Sequence, residues 1–174
     1  MTHNLRGHCF EAEDVSPGQP TDAMVALEMI TKLVMERYRT DSSQHQPMIF
    51  AFSEGQVSTI IQLDFTSDIG KNESIQTAKR QLLAMGCDAS VFVSEGWGLK
   101  QPSLLERPSQ SPKRVEMLLV EASAPGRFVS TIHDMIRHPS GIVSFNEYQR
   151  TDSLQLGGTD VLKTKFDFFN QGRA

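Results

Sequence analysis

Two apolar segments joined by a proline-rich loop constrain the fold of this chain most strongly. Residues 88–100 (DASVFVSEGWGLK) and 113–122 (KRVEMLLVEA) have the length and the composition of β-strands, and the loop between them contains three prolines. Strand alternation places five side chains of the first segment on one face: Val91, Val93, Glu95, Trp97 and Leu99. A carboxylate and the only tryptophan of the chain therefore share an otherwise apolar stripe.

The remaining segments predict two helices and four further strands. Apolar residues at helical spacing indicate helices over about 22–38 and 69–85. Thr21 or Asp22 can cap the first helix, and Gly86 is well placed as the residue after the end of the second. The further strands are predicted at 47–53 and 56–65, around the turn Glu54-Gly55, and at 128–137 and 142–148.

This order predicts an α+β domain with a mostly antiparallel sheet of about five to six strands and two helices packed on one face. The last three strands, separated by Pro/Gly turns, suggest an antiparallel meander. We expect residues 1–20 to be a loose N-terminal segment and residues 21–174 to form a single domain. The segment VLKTKFDFF in the tail fits either a short helix or an edge strand that packs its phenylalanines back on the domain.

Composition and charge favour a soluble protein without nucleic-acid or membrane partners. The 174 residues are 39% hydrophobic and 22% charged, and the net charge of −4 falls entirely on residues 1–87. Neither half has the basic excess expected of a nucleic-acid binder, and no apolar run approaches the roughly 20 residues of a membrane span. The N-terminus lacks the features of a secretory signal, so we predict a cytoplasmic protein whose two cysteines, Cys9 and Cys87, are reduced.

The strongest catalytic and cofactor motifs do not occur in the sequence. It contains no GxxxxGK[ST] or GxGxxG phosphate loop, no GxSxG elbow, no HExxH and no PCxxC. His3, His8 and Cys9 are metal-ligand types, but their spacing matches no tight metal motif. We therefore predict no cofactor, no metal and no catalytic residue.

The candidate ligand-binding residues are Glu95, Trp97, Arg114 and Glu116. If Arg114 and Glu116 pair across from the first strand, Glu95 can meet Arg114 in a charge-assisted hydrogen bond beside the indole ring. One interpretation is a small pocket in which an apolar wall raises the pKa of Glu95. The favoured interpretation is a partly buried ion pair that holds the two strands and the proline loop together.

The same segment resembles a family of uncharacterised bacterial and phage proteins. In that family a strand ending in Glu-Ala-Trp precedes a Pro-Ser-x-x-Pro-x-Arg-x-Glu stretch and another apolar strand. The matching residues are Glu95, Trp97, Pro108, Ser109, Pro112, Arg114 and Glu116. Gly96 stands where alanine is usual. The resemblance implies that the strands and their loop form one unit, and it implies no reaction.

Two functions follow as hypotheses. The first is a non-enzymatic α+β domain that self-associates or serves as an accessory binding protein, with a homodimer formed through an exposed sheet face. The alternative is a small-molecule binder or enzyme with a pocket around Glu95, Trp97, Arg114 and Glu116.

Overall fold

A computed structural model describes residues 18–100, 107–157 and 164–170. The helices and strands of these residues are, in chain order, α1 (Ala23–Thr40), β1 (Met48–Ser53), β2 (Gln56–Gln62), α2 (Asp68–Ala84), β3 (Ala89–Gly98), β4 (Val115–Ala124), β5 (Arg127–Arg137) and β6 (Val143–Asp152). Both predicted helices and all the predicted strands are confirmed. The largest differences are that β2 ends at Gln62 rather than Phe65, and that β6 continues to Asp152 rather than Tyr148.

All the strands belong to one sheet, in the order β2-β1-β3-β4-β5-β6. Each neighbouring pair is antiparallel, which confirms the α+β class, and β4, β5 and β6 form the predicted meander. Because β2 and β3 are both antiparallel to β1, they run parallel to each other on its two sides. The strand–helix–strand unit that contains α2 therefore returns the chain across β1.

Local residue chemistry explains where the elements begin and turn. Asp22 caps α1 by accepting hydrogen bonds from the amides of Met24 and Val25, at 2.8 and 3.1 Å. Glu54 and Gly55 have φ of 52° and 76°, as a two-residue hairpin of the type I′ class requires. Both features agree with the sequence-based expectation.

The two helices pack on opposite faces of the sheet, whereas the sequence suggested a single covered face. We name these faces the α1 face and the α2 face. On β1, Phe50 and Phe52 join the core under α1, and the alternate residues Ile49 and Ala51 join the core under α2. The physical reason is that β1 is a continuous apolar run and the first part of β3 is also rich in apolar residues, so that both strands need cover on both sides.

The described part of the tail, residues 164–170, packs on the α2 face. Phe168 is buried in the core under α2, and Phe166 and Phe169 pack against that core. The predicted packing of the tail phenylalanines is therefore confirmed for these three. The backbone here consists of turns, so neither the helix nor the edge strand is found among residues 164–170.

Several predictions fall on residues outside the described ranges. They include most of the loose segment 1–20, with His3, His8 and Cys9. Cys87 is buried and takes part in no disulfide. Within the described ranges, no helix is long and apolar enough to cross a membrane.

Candidate functional site

The sheet brings Glu95 and Glu116 together, with an arginine that the sequence did not single out. Trp97 of β3 lies directly opposite Glu116 of β4, so their side chains and that of Glu95 share the α1 face. Arg137, the last residue of β5, completes the group. Its Nη2 lies 3.1 Å from Glu95 Oε2 and 2.7 Å from Glu116 Oε1, and its Nε lies 2.9 Å from Glu116 Oε2.

The loop that follows α1 closes over this group. The amide of His45 donates to Glu95 Oε1, and Arg137 Nη1 donates to the carbonyl oxygen of Ser42. We call the set of Ser42, His45, Glu95, Glu116 and Arg137 the Glu95 clasp. It ties α1 and the strands β3, β4 and β5 together at one end of the sheet.

Burial within the clasp is graded. The side chain of Glu95 is only 2% exposed, against 20% for Glu116 and 33% for Arg137. Burial raises the pKa of Glu95, and Glu116 also raises it, while the His45 amide and Arg137 act in the opposite direction. Hydrogen bonding to Glu116 is the main cause that raises the pKa of Arg137. The clasp therefore keeps a desolvated carboxylate next to a permanent cation.

The guanidinium partner of Glu95 is Arg137 and not Arg114, as the sequence-based hypothesis had it. Arg114 lies over the indole of Trp97 instead, with its guanidinium carbon 4.5 Å from the ring centroid. Trp97 itself is 50% exposed, so the indole forms a surface stack rather than a wall of the clasp. The four predicted residues are thus neighbours in two separate arrangements, Glu95 with Glu116 and Trp97 with Arg114.

Aromatic and basic side chains at the end of α1 and just after it pack beside the clasp. The ring of Tyr38, buried at the end of α1, has the guanidinium carbons of Arg37 and Arg137 at 5.5 and 5.8 Å from its centroid. His45 is also buried, and its Nδ1 lies 2.8 Å from the carbonyl oxygen of Gln46. Burial lowers the pKa of His45, which favours the neutral imidazole.

The clasp opens onto a shallow pocket of about 410 Å³ on the α1 face. Its lining includes Gln44 and Trp97 together with the acids of the clasp. Both oxygens of Glu95 already accept hydrogen bonds inside the protein. A ligand in this pocket would therefore contact the exposed edge of the clasp, and the carboxylate oxygens of Glu95 would already be engaged in hydrogen bonds.

Glu121 is a second glutamate with a buried side chain, and the sequence-based reasoning missed it. It lies on the α2 face of β4 and is 7% exposed, and burial followed by the charge of Asp167 raises its pKa to about 7. Asp167 accepts hydrogen bonds from Ser123 Oγ at 2.5 Å and from Asn170 Nδ2 at 2.7 Å. The alternation of Leu119, Glu121 and Ser123 along β4 was a usable signal, but nothing in it pointed to Asp167, 46 residues further along the chain from Glu121.

Metal coordination finds no support in the described residues, where no three His, Cys, Asp or Glu side chains gather into a group that could hold an ion. His133 is buried on β5, and its Nε2 lies 3.1 Å from Thr131 Oγ1. Burial lowers the pKa of His133.

The chain matches no protein-family model, no curated protein and no solved structure at significant similarity. The resemblance carried by the strand–loop–strand segment therefore stays a prediction.

Proposed function

We propose that this chain is a non-enzymatic binding domain that self-associates, with a second copy adding its β2 alongside β2 of the first. The observation that carries the proposal is the contrast between the two outer strands of the sheet. The sequence suggested a dimer through an exposed sheet face. Since a helix packs on each face, the outer edge at β2 is the better surface.

The outer strand β2 has the composition of a pairing edge. Its sequence, QVSTIIQ, has no charged residue and no proline, and among the described residues it pairs only with β1. Val57 and Ile60 are 39% and 45% exposed. Natural proteins usually protect such edges with charges, prolines or bulges, and β2 has only a single extra residue at Ser58.

The other outer strand, β6, is protected by charge. It contains Glu147, Arg150 and Asp152, and Arg150 forms ion pairs with Glu147 and with Glu28 of α1. A new strand at this edge would have to approach these charged groups. The difference between the two edges singles out β2.

Charge also favours a second copy of this chain as the partner at β2. A symmetric dimer places the same patch of each copy in contact, so the patch has to be complementary to itself. On a protein with a net charge of −4, an uncharged strand can face its own copy without repulsion. The exposed apolar side chains of β2 then gain burial in both copies at once.

The experiment is sedimentation over a range of concentrations, with the wild type compared with Ile60→Lys. We expect a wild-type dimer that the lysine converts to a monomer with an unchanged circular dichroism spectrum. Leu83→Lys is the matched control, because Leu83 is 64% exposed and belongs to α2 rather than to β2. A wild type that remains monomeric at the highest concentration, or a dimer that survives Ile60→Lys, would contradict the proposal.

The alternative, a small-molecule site at the Glu95 clasp, has weaker support because the carboxylate is closed inside an ion pair. It predicts that a ligand changes Trp97 fluorescence and that Glu95→Gln abolishes the response without unfolding the protein. If Glu95→Gln only lowers the melting temperature, the clasp is architectural.

A further inference from the structure

The α2 face contains a second pocket, of about 280 Å³, that the proposed self-association does not use. Six apolar side chains line most of it: Phe65, Phe92, Met117, Leu119, Ile132 and Phe166. The residues come from β3, β4, β5, the segment before α2 and the tail, so the folded domain as a whole forms the pocket.

Three phenylalanines form an aromatic wall. Phe92 and Phe166 are stacked with their centroids 3.5 Å apart, and the Phe65 centroid lies 6.1 and 6.4 Å from theirs. The tilted contacts of Phe65 lie within the range of about 4.5–7 Å at which aromatic rings attract one another, and Phe92 and Phe166 lie face to face. The wall therefore favours a flat apolar ligand over a branched aliphatic one.

Gly96 leaves space on the β3 side of the pocket. A Cβ atom built on Gly96 would meet no atom within 4 Å, so the side chain that is missing at this position corresponds to open volume. An apolar cavity of roughly 150 Å³ is large enough to hold benzene. The observed volume therefore fits one aromatic ring and a short substituent.

A single cation lies at the rim, on the first turn of α2. Lys71 Nζ is 4.6 Å from the centroid of Phe65, and within the described ranges Lys71 forms no ion pair with a carboxylate. A cation on the first turn of a helix is disfavoured by the helix dipole, so its position is not explained by the stability of α2. An anionic group on a ligand would find in Lys71 a counter-ion at the border of an apolar pocket.

We infer that this pocket binds a small aromatic carboxylate, with the ring against the phenylalanine wall and the carboxylate at Lys71. The inference is independent of dimer formation through β2, which lies at the outer edge of the sheet. Glu95 and Trp97 of β3 also border the pocket, but their side chains lie on the α1 face, so binding has to be measured by a method that does not depend on the tryptophan.

The test uses phenylacetate as the probe and two comparison compounds. Phenylacetamide keeps the ring but lacks the charge, and acetate keeps the charge but lacks the ring. In calorimetric titration we expect phenylacetate to bind in a saturable way, phenylacetamide to bind about tenfold more weakly, and acetate to show no binding. Equal binding of phenylacetate and phenylacetamide, or no binding of phenylacetate, would overturn the inference.

Two variants locate the site. Lys71→Met should bring phenylacetate down to the affinity of phenylacetamide, and Gly96→Val should block both by filling the pocket. Lys79→Met is the matched control, since it removes the same charge from the same helix outside the pocket lining. Circular dichroism confirms that each variant is folded, and if Gly96→Val does not fold, the charge-reversed Lys71→Glu replaces it. Unchanged phenylacetate affinity in Lys71→Met would exclude this pocket as the site.

Discussion

Glu95 and Glu121 are two buried glutamates on neighbouring strands, and their charged neighbours are of opposite sign. Burial raises the pKa of both. Glu95, on the α1 face, accepts a hydrogen bond from a backbone amide and forms an ion pair with Arg137. Glu121, on the α2 face, has another acid, Asp167, as its charged neighbour, and no hydrogen bond to it is found among the described residues.

The comparison shows that partners decide what a buried carboxyl does to the fold. Desolvation disfavours the charged form of any acid. An adjacent guanidinium offsets that cost, whereas a second carboxylate increases it. In the Glu95 clasp the acid is paired with Arg137 and ties the strands to the loop after α1. Glu121 is a neutral acid at mildly acidic pH and a destabilising anion above neutrality.

The largest effect is expected when the clasp loses its cation. Arg137→Met leaves Glu95 buried without a counter-charge, and loss of one partner of a buried pair costs about 3–5 kcal/mol. The free energy of unfolding, measured in urea at pH 8, should fall by that amount, and by less at pH 5, where Glu95 can take up a proton. Arg39→Met is the control, because Arg39 pairs with Glu36 on the surface of α1. Equal losses in the two variants would show that the clasp contributes no more than a surface ion pair.

Glu121 should make the wild-type protein less stable as the pH rises. Its pKa is about 7 in the folded protein against 4.5 for the ordinary glutamate, so the folded state binds the proton more tightly. The stability that the protonated form contributes is complete below about pH 4.5 and is lost as the pH rises through about 7. The loss can reach about 3 kcal/mol, at 1.36 kcal/mol for each pH unit.

Glu121→Gln removes this dependence and isolates it from the other titrating groups. The stability of the variant relative to the wild type should increase between pH 5 and pH 8, in urea unfolding experiments at both values. Glu73→Gln, an exposed site on α2, provides the control for loss of one acidic charge. A constant difference between Glu121→Gln and the wild type across this range would mean that Glu121 is ionised at both ends.

The sequence predicted most of the architecture because the relevant signals are local. Asp22 and Gly86 mark helix ends, Glu54-Gly55 marks a hairpin, and alternation marks each strand. The helices were predicted on one face because the continuous apolar run in β1 was not interpreted as a strand that is buried on both faces.

The candidate site was predicted only in part, because its partners depend on register. Alternation placed Glu95 and Trp97 on one face correctly, and Glu116 lies across from them as supposed. The choice between Arg114 and Arg137 required the alignment of β4 with β5, which no local pattern specifies. Asp167 next to Glu121 required the path of the tail, whose sequence left two conformations open.

A smaller effect is expected when the acid of the clasp is changed rather than its cation. Glu95→Gln keeps an oxygen for the His45 amide and loses the charge attraction to Arg137, which still pairs with Glu116. Loss of one charge-assisted hydrogen bond of this kind costs about 1.5–3 kcal/mol. Thermal unfolding should therefore show Glu95→Gln to be more stable than Arg137→Met. If Glu95→Gln were instead the less stable variant, the charge of Glu95 would matter more for the free energy of unfolding than the loss of its partner does.

The smallest effect is expected at the surface stack of Trp97 and Arg114. Both groups are exposed, and a cation–π contact in such a setting contributes about 0.5–1 kcal/mol. Arg114→Ala should change Trp97 emission, because the guanidinium over the ring is removed, and the cation–π contact should contribute no more than this amount to the loss in free energy of unfolding. Lys113→Ala, at the neighbouring exposed position, should leave the emission unchanged. A loss as large as that of Arg137→Met would place Arg114 within the clasp after all, as the sequence-based hypothesis supposed.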